Sequence, residues 1–233
     1  MIEIVMEGPG KNALGTAMMD HLLERIEQAG GHPLLLTGAG DAFSAGLNLK
    51  EVHALDAAGM EAFLRKLERL FSTLYTYPGP TVALVNGHAI AGGCILALCC
   101  DHRVLKADAG ARVGLNEVAL GLRFPPGVLR LVRERLSPAH LCEVLLGAGL
   151  HGPEGALRLG LVDEVSADAA AVARERLAAL AAHPDQAYAA TKRALRGRTL
   201  LDVPGYEETF RGLLPSWSSD ELKQRIVSVL KRR

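Results

Sequence analysis

The segment from Asn86 to Asp101, NGHAIAGGCILALCCD, restricts the fold more than any other part of the chain. Just before it, the short and largely β-branched run Thr81–Val85 predicts a buried strand, which Asn86-Gly87 ends in a turn. After the turn, apolar residues on nearly every side predict a helix that is buried all round. The chain must therefore fold around a strand, a turn and a central buried helix.

The predicted helix begins with Gly92 and Gly93. The first turn of a helix has unpaired N–H groups and a partial positive charge, and glycine lets a ligand approach the backbone closely. These glycines predict a site for an anion, or for an oxygen that becomes one. The alternative is that they only let this helix cross another closely. Asn86, His88 and the glycines leave fewer than roughly 18 clean apolar residues, which excludes a membrane span.

Charge and composition narrow the possible partners. The chain of 233 residues has 26 basic and 26 acidic side chains, and only 4% of its residues are aromatic. Without a positive field or a stacking surface, neither nucleic acid nor an anionic membrane is an expected partner. A small molecule or a second copy of the chain is expected instead. Because no charged and apolar leader opens the sequence, a cytoplasmic location is predicted.

The four cysteines predict neither disulfide nor metal chemistry. They lie in apolar segments without CxxC spacing, at Cys94, Cys99, Cys100 and Cys142. This pattern predicts that the cysteines are small core residues of a protein in a reducing compartment. No metal site is predicted, because the sequence lacks ligand pairs with standard spacing.

A second glycine loop, from Gly38 to Gly46, follows a predicted buried strand at His32–Thr37. A dinucleotide fingerprint would need glycine where Phe43 stands, and a nucleophile elbow would need glycine where Ala42 stands. A serine hydrolase centred on Ser44 stays open. Its candidate partners are His88, His102 and His140. A third interpretation is that this loop presents backbone N–H groups to the same pocket as the start of the buried helix, forming an oxyanion hole.

Five ordered segments resemble the motifs of the crotonase (enoyl-CoA hydratase/isomerase) superfamily, over nearly the whole chain. They are AFSAGLNL (42–49), NGHAIAGGC (86–94), CDHRV (100–104), GLNE (114–117) and GLVDEV (160–165). The resemblance implies an α/β fold of repeated ββα units in a spiral, with a C-terminal helical region for trimerisation. It also implies an acyl-coenzyme A thioester as substrate, so that coenzyme A enters with the substrate and no separate cofactor is needed.

The resemblance also implies roles for single residues. By position, the backbone N–H groups of Leu47 and Gly92 are the two donors that hold the thioester oxygen. Further contacts with the substrate are implied at Ala45, Gly46, Leu49 and Ile95. Phe124, in the Phe124-Pro125-Pro126 break beside Glu117, either walls an acyl pocket or belongs to a plain loop.

The glutamate pattern separates members of this family. Hydratases carry two catalytic glutamates, whereas here Ile95 occupies the first place and only the second, Glu117, is present. In this respect the chain is similar to the mitochondrial-type Δ3,Δ2-enoyl-CoA isomerases of fatty acid β-oxidation. One carboxylate placed between two carbons can remove a proton from C2 and return it at C4. Apolar neighbours such as Leu115 and Val118 predict a raised pKa for Glu117, unless it is a surface carboxylate at a helix start.

Other functions stay open besides this isomerase. A hydratase, or another CoA-thioester lyase of the same fold, could use water that is placed differently. A catalytically inactive subunit would keep the fold and the trimer surface, because the missing glutamate is also what decay would leave. The Ser44 hydrolase is a further alternative.

Elsewhere the patterns predict mainly structure. A strand is expected at Ile2–Met6, and helices are expected over residues 17–29 and 57–74. Residues 1–196 are predicted to form the core domain and residues 197–233 a separable helical tail. The family resemblance implies assembly as a trimer, which could pair into a hexamer. Basic residues that could contact coenzyme A phosphates, or else form solvated faces, are Lys192, Arg193, Lys223, Lys231 and Arg232.

Overall fold

The computed structural model describes residues 1–108 and 110–231. The strands are β1 (Ile2–Met6), β2 (Leu34–Gly38), β3 (Ala42–Ser44), β4 (Thr81–Val85), β5 (His88–Ile90), β6 (His102–Lys106), β7 (Val113–Gly114) and β8 (Glu164–Ser166). The bounds of β1 and β4 are those predicted. Strand β2 begins two residues later than the predicted His32, because Pro33 has no N–H to contribute to the ladder.

The helices are α1 (Pro9–Asn12), α2 (Thr16–Gln28), α3 (Leu49–Ala54), α4 (Ala57–Tyr75), α5 (Gly92–Cys99), α6 (Pro126–Arg135), α7 (Leu141–Leu145), α8 (Pro153–Arg158), α9 (Ala169–Ala181), α10 (Asp185–Arg196), α11 (Tyr206–Trp217) and α12 (Asp220–Leu230). The predicted bounds of the two long helices α2 and α4 are confirmed to within one residue. Helix α4 is capped by the side chain of Asp56, which accepts a hydrogen bond from the N–H of Gly59.

Two parallel sheets organise these elements. The larger sheet has the order β1-β2-β4-β6-β8, and the smaller has the order β3-β5-β7. Strands β2, β4 and β6 are each followed by a short strand of the smaller sheet before the next helix begins. This confirms the α/β fold of repeated ββα units. Each turn of the spiral therefore brings one segment of chain to the end of the smaller sheet.

Helix α5 lies in the centre of the molecule, as predicted. All eight of its residues are buried, and it contacts α4, α6 and β5. Three of the cysteines, Cys94, Cys99 and Cys100, belong to this core. The prediction for Cys142 is wrong: it is exposed, because α7 is a short helix with only Val144 buried.

The C-terminal helices α11 and α12 pack on the same core. Phe210, Trp217 and Ile226 are 0%, 2% and 3% exposed and belong to one cluster with the central helices. The helical C-terminal region is thus present, and it lies against the rest of the chain. The domain boundary after residue 196 stays a prediction. Within residues 1–108 and 110–231, none of the helices combines the length and apolar character of a bilayer span.

A buried ion cluster ties α10 to the start of β6. The ammonium of Lys192 donates to Asp101 (2.8 Å) and to the carbonyl of Gly79 (2.9 Å), and Arg196 binds the second oxygen of Asp101 at 2.7 Å. Lys192 is therefore not available to a phosphate, and that prediction is wrong. For Arg193, Lys223 and Lys231 it stays a prediction, whereas Arg232 lies outside the described residues.

Candidate active site

A cavity of about 100 Å³ opens at the end of the smaller sheet. Its lining comes from the segments that follow β3, β5 and β7, closed by side chains of α4, α6, α11 and α12. The predicted site residues that line it are Ala45, Leu47, Leu49, Gly92, Ile95, Glu117 and Phe124. Gly46, also predicted, does not line the cavity but separates Ala45 from Leu47. The structure therefore brings together residues that are far apart in the chain.

The two predicted oxyanion donors both belong to this lining. Gly92 is the first residue of α5, so its N–H has no partner within the helix. Leu47 pairs with Leu14 in an isolated parallel bridge, in which Leu14 donates to the carbonyl of Gly46 and accepts from the N–H of Asn48. In the part of the chain that the structure describes, neither the Leu47 nor the Gly92 N–H has a hydrogen-bond partner.

The segments that carry these donors touch each other at Gly46. A Cβ atom added there would lie 2.7 Å from the carbonyl oxygen of Ile90 and 3.2 Å from Cβ of Ala91. Gly46 also has φ of +87°, which side chains rarely allow. Ala91, at the N-cap of α5, has φ of +51° and donates its N–H to Gly114 of β7 at 2.8 Å. Glycine at position 46 is therefore what permits the close approach.

Glu117 supplies the carboxylate of the cavity. It directly precedes a short 3₁₀ turn at Val118–Leu120, and its backbone carbonyl accepts from the N–H groups of Leu120 and Leu122. The residue is only 8% exposed, and Oε2 is buried without a hydrogen-bond partner among the described residues. Burial away from water raises the pKa of this carboxyl from 4.5 to about 7. A group of this pKa can both take and return a proton near neutral pH.

Ile95 lies one turn into α5 and contributes an apolar side chain, 1% exposed, to the same lining. Among the described lining residues, Glu117 is the only one with an ionisable side chain. The place that the sequence resemblance assigns to the other carboxylate of a hydratase is therefore occupied by hydrocarbon.

Ser44 does not form a hydrolase site, so that alternative is wrong. It lies in β3, fully buried, and its hydroxyl donates to the carbonyl of Asn12 at 2.8 Å. Two of the histidines proposed as partners are engaged elsewhere: His88 Nδ1 accepts from the N–H of Arg112, and His102 pairs with Glu164.

Several lining residues escape prediction from the sequence. Leu67 and Phe71 of α4 belong to an apolar stripe that looks like ordinary core, and Trp217 and Val229 come from the predicted tail. Asn116 is part of the GLNE motif, yet nothing in its type predicts a role. Its side-chain Oδ1 is buried without a partner among the described residues, beside Glu117 in the lining.

Comparisons with known proteins identify the family. A family model described as enoyl-CoA hydratase/isomerase matches residues 1–215. The chain belongs to this family.

Relatives named as hydratases and relatives named as isomerases both resemble the chain. It is 35% identical to a provisionally named enoyl-CoA hydratase of Thermus thermophilus, covering 96% of this chain and 91% of that protein. It is 31% identical to human mitochondrial enoyl-CoA delta isomerase 1, covering 97% and 78%. The crystal structure of human mitochondrial Δ3,Δ2-enoyl-CoA isomerase superposes with a TM-score of 0.90 at 26% identity, covering 99% of this chain and 93% of that one.

Proposed function

We propose that the protein is an isomerase that converts 3-enoyl-CoA into 2-enoyl-CoA, as in fatty acid β-oxidation. The observation that carries this proposal is that Glu117 is the single ionisable group among the described residues of the cavity lining, which has Ile95 where a second carboxylate would be needed. Hydration needs a further group to handle water, whereas moving a double bond needs only one proton shuttle. The trimer or hexamer and the cytoplasmic location stay predictions.

The reaction follows from the placement of the groups. The thioester oxygen accepts hydrogen bonds from the N–H groups of Leu47 and Gly92. The carboxylate of Glu117 takes a proton from C2, and the electron pair of the broken C–H bond passes into a dienolate whose charge lies on that oxygen. Glu117, now neutral, returns a proton to C4, so that the double bond ends between C2 and C3. The net charge of the site is unchanged throughout.

A direct assay tests the proposal. The purified protein would be incubated with a 3-enoyl-CoA and, separately, with a 2-enoyl-CoA, while the absorbance of the conjugated thioester is followed. We expect the absorbance to appear with the first substrate and not to disappear by hydration with the second. An inactive subunit would change neither signal.

The pKa of Glu117 predicts how activity depends on pH. Only the carboxylate can accept the C2 proton, so kcat/KM should rise with pH through about 7 and level off above it. The measurement is kcat/KM for a 3-enoyl-CoA at intervals between about pH 5.5 and 8.5, a range that brackets this pKa. A profile that is flat over this range would show that the base is not the buried carboxyl.

Asn116 favours a hydratase as the second candidate. Its carboxamide lies in the cavity lining beside Glu117 without a described partner, and such a group could orient a water molecule. In that case the parent protein should hydrate 2-enoyl-CoA, and Asn116→Leu should remove the hydration while leaving Glu117 in place. Absence of hydration in the parent would dismiss this candidate.

Ile95→Glu tests the meaning of the missing carboxylate. The new side chain would lie near Glu117 in a poorly solvated cavity, where two carboxyls share a proton and one pKa rises further. We expect measurable hydration of 2-enoyl-CoA in the variant, together with a lower isomerase rate and a lower stability from the buried charge. Ile95→Gln, which is polar but cannot ionise, is the matched control. Equal hydration by parent and variant would contradict the assignment of Ile95.

A further inference from the structure

The oxyanion donor at Leu47 lies in a loop rather than in a helix, yet the neighbouring backbone N–H groups all have hydrogen-bond partners. The N–H of Ala45 donates to the carbonyl of Lys11 at 3.0 Å, that of Gly46 to the hydroxyl of Ser44 at 3.3 Å, and that of Asn48 to the carbonyl of Leu14 at 3.0 Å. Of the four consecutive N–H groups from 45 to 48, only that of Leu47 has no partner in the described residues. The loop is thus arranged so that one donor stays available to the cavity.

The segment that holds this loop has an unusual backbone. Gly10, Lys11 and Asn12 have φ of +67°, +60° and +58°, so the short element α1 is a left-handed turn rather than a regular α-helix. Glycine and asparagine adopt this region readily, but for Lys11 it is unfavourable, and it persists only where surrounding contacts enforce it. A strained turn beside a candidate active site therefore requires a specific restraint.

Asn12 supplies that restraint. The side chain belongs to a residue that is 3% exposed, and its Nδ2 donates to the carbonyls of Ala39 and Ala42, both at 2.9 Å. Its Oδ1 accepts from the N–H of Gly8 at 3.2 Å. These bonds fasten the left-handed turn to the loop that leads into β3. The carbonyls of Lys11 and Asn12 are thereby fixed in direction.

Ser44 transmits this restraint to the donor loop. Its hydroxyl donates to the carbonyl of Asn12 and at the same time accepts from the N–H of Gly46. Its backbone also meets the other segment of the site, because a Cβ atom added at Gly93 would lie 2.3 Å from the Ser44 carbonyl oxygen. Ser44 is therefore in contact with both segments that carry the oxyanion donors.

We propose that Asn12 and Ser44 are positioning residues that direct the Leu47 N–H toward the thioester oxygen. Neither residue lines the cavity, so each acts only through the backbone. The inference rests on the proposed function, because it assigns Leu47 its part in binding the thioester.

Ser44→Ala is the principal test, since it removes one hydroxyl at little change in volume. Thr37→Val is the matched control: Thr37 is also buried and also donates its hydroxyl to a backbone carbonyl, that of Leu84 at 2.9 Å, in the larger sheet. Asn12→Gly is the second variant, because glycine keeps the left-handed φ while losing all three side-chain bonds. If Asn12→Gly does not fold, Ser44→Ala alone tests the positioning role.

Two readouts are needed, turnover of a 3-enoyl-CoA and the carbonyl stretching frequency of bound hexanoyl-CoA labelled with ¹³C at its thioester carbon. Hydrogen bonds from the hole lower that frequency, so it reports donor placement without catalysis. We expect Ser44→Ala to lose roughly 10-fold in kcat with KM little changed, less than complete removal of a donor would cost. The frequency should move back toward that of free hexanoyl-CoA, whereas Thr37→Val should match the parent in both measurements.

The two readouts separate the inference from the proposed function. If the parent lowers the carbonyl frequency and Ser44→Ala does not, the positioning role holds even where no isomerisation is found, and only the isomerase proposal fails. If Ser44→Ala and Thr37→Val give the same frequency and the same kcat, the positioning role is overturned. An unshifted frequency in the parent itself would overturn it too, since the donor would then not reach the thioester.

Discussion

Replacing Glu117 with glutamine is expected to lower kcat/KM for a 3-enoyl-CoA at least about 100-fold, the lower range for loss of general acid–base catalysis. Glutamine keeps the size of the side chain but cannot take the C2 proton. Binding of a saturated acyl-CoA should be largely kept, because the oxyanion donors belong to the backbone. Steady-state kinetics and calorimetric binding measure the two effects. If Glu117→Gln kept most of its activity, another residue would have to move the proton.

The same substitution should make the protein more stable at high pH. A carboxyl whose pKa is raised by folding binds its proton more tightly in the folded state, so stability falls as pH rises from 4.5 through about 7. Above that range the buried charge costs about 3 kcal/mol, which glutamine avoids. Urea unfolding at pH 4.5 and 8 should show a higher free energy of unfolding for Glu117→Gln than for the parent only at pH 8. Glu143→Gln, the same change at an exposed ion pair with Arg158, should show no such gain.

Gly46→Ala is expected to lower kcat roughly 100-fold, because loss of one oxyanion donor has an effect of that order. The new Cβ would lie 2.7 Å from the carbonyl oxygen of Ile90, so the loop must move and take the Leu47 N–H with it. The left-handed φ also makes alanine unfavourable by about 1 to 2 kcal/mol. Turnover and thermal unfolding of the variant measure the two losses.

Gly40→Ala separates these two effects. Gly40 has a similar φ of +71°, but a Cβ atom there would meet nothing within 4 Å. This variant should lose a comparable amount of stability and keep the turnover of the parent. A folded Gly46→Ala protein with unchanged kcat would show that the thioester oxygen binds elsewhere.

The longer elements could be predicted because their patterns are local. Thr81–Val85 and Ala57–Tyr75 carry the apolar runs and periodicities of a buried strand and a core helix, and their observed bounds agree closely. Strands β3, β5 and β7 have only two or three residues each. No periodicity can develop over that length, and their pairing depends on segments far apart in the chain.

The residues of the candidate site likewise fall into those that the sequence predicts and those that it does not. Leu47, Gly92 and Glu117 lie in compact motifs, so their grouping in one cavity follows from the family resemblance. Leu67 and Trp217 could not be found, since an apolar side chain facing a cavity has the same sequence pattern as one facing core. The positive φ of Ala91 and of the turn at residues 10–12 likewise depends on tertiary contacts rather than on residue type.

The spiral order of the ββα units makes the cavity depend on contacts between distant parts of the chain. Leu47, Gly92, Glu117 and Trp217 reach the cavity from successive turns of the spiral and from the C-terminal helices. Trp217 lies farther along the chain from Glu117 than any two paired residues of the larger sheet lie from each other, and contacts of such range form late because loop closure must precede them. A refolding chain should therefore recover its larger sheet before it recovers turnover. We expect local opening of α11 and α12, which contribute Trp217 and Val229 to the lining, to lower turnover while the larger sheet stays folded.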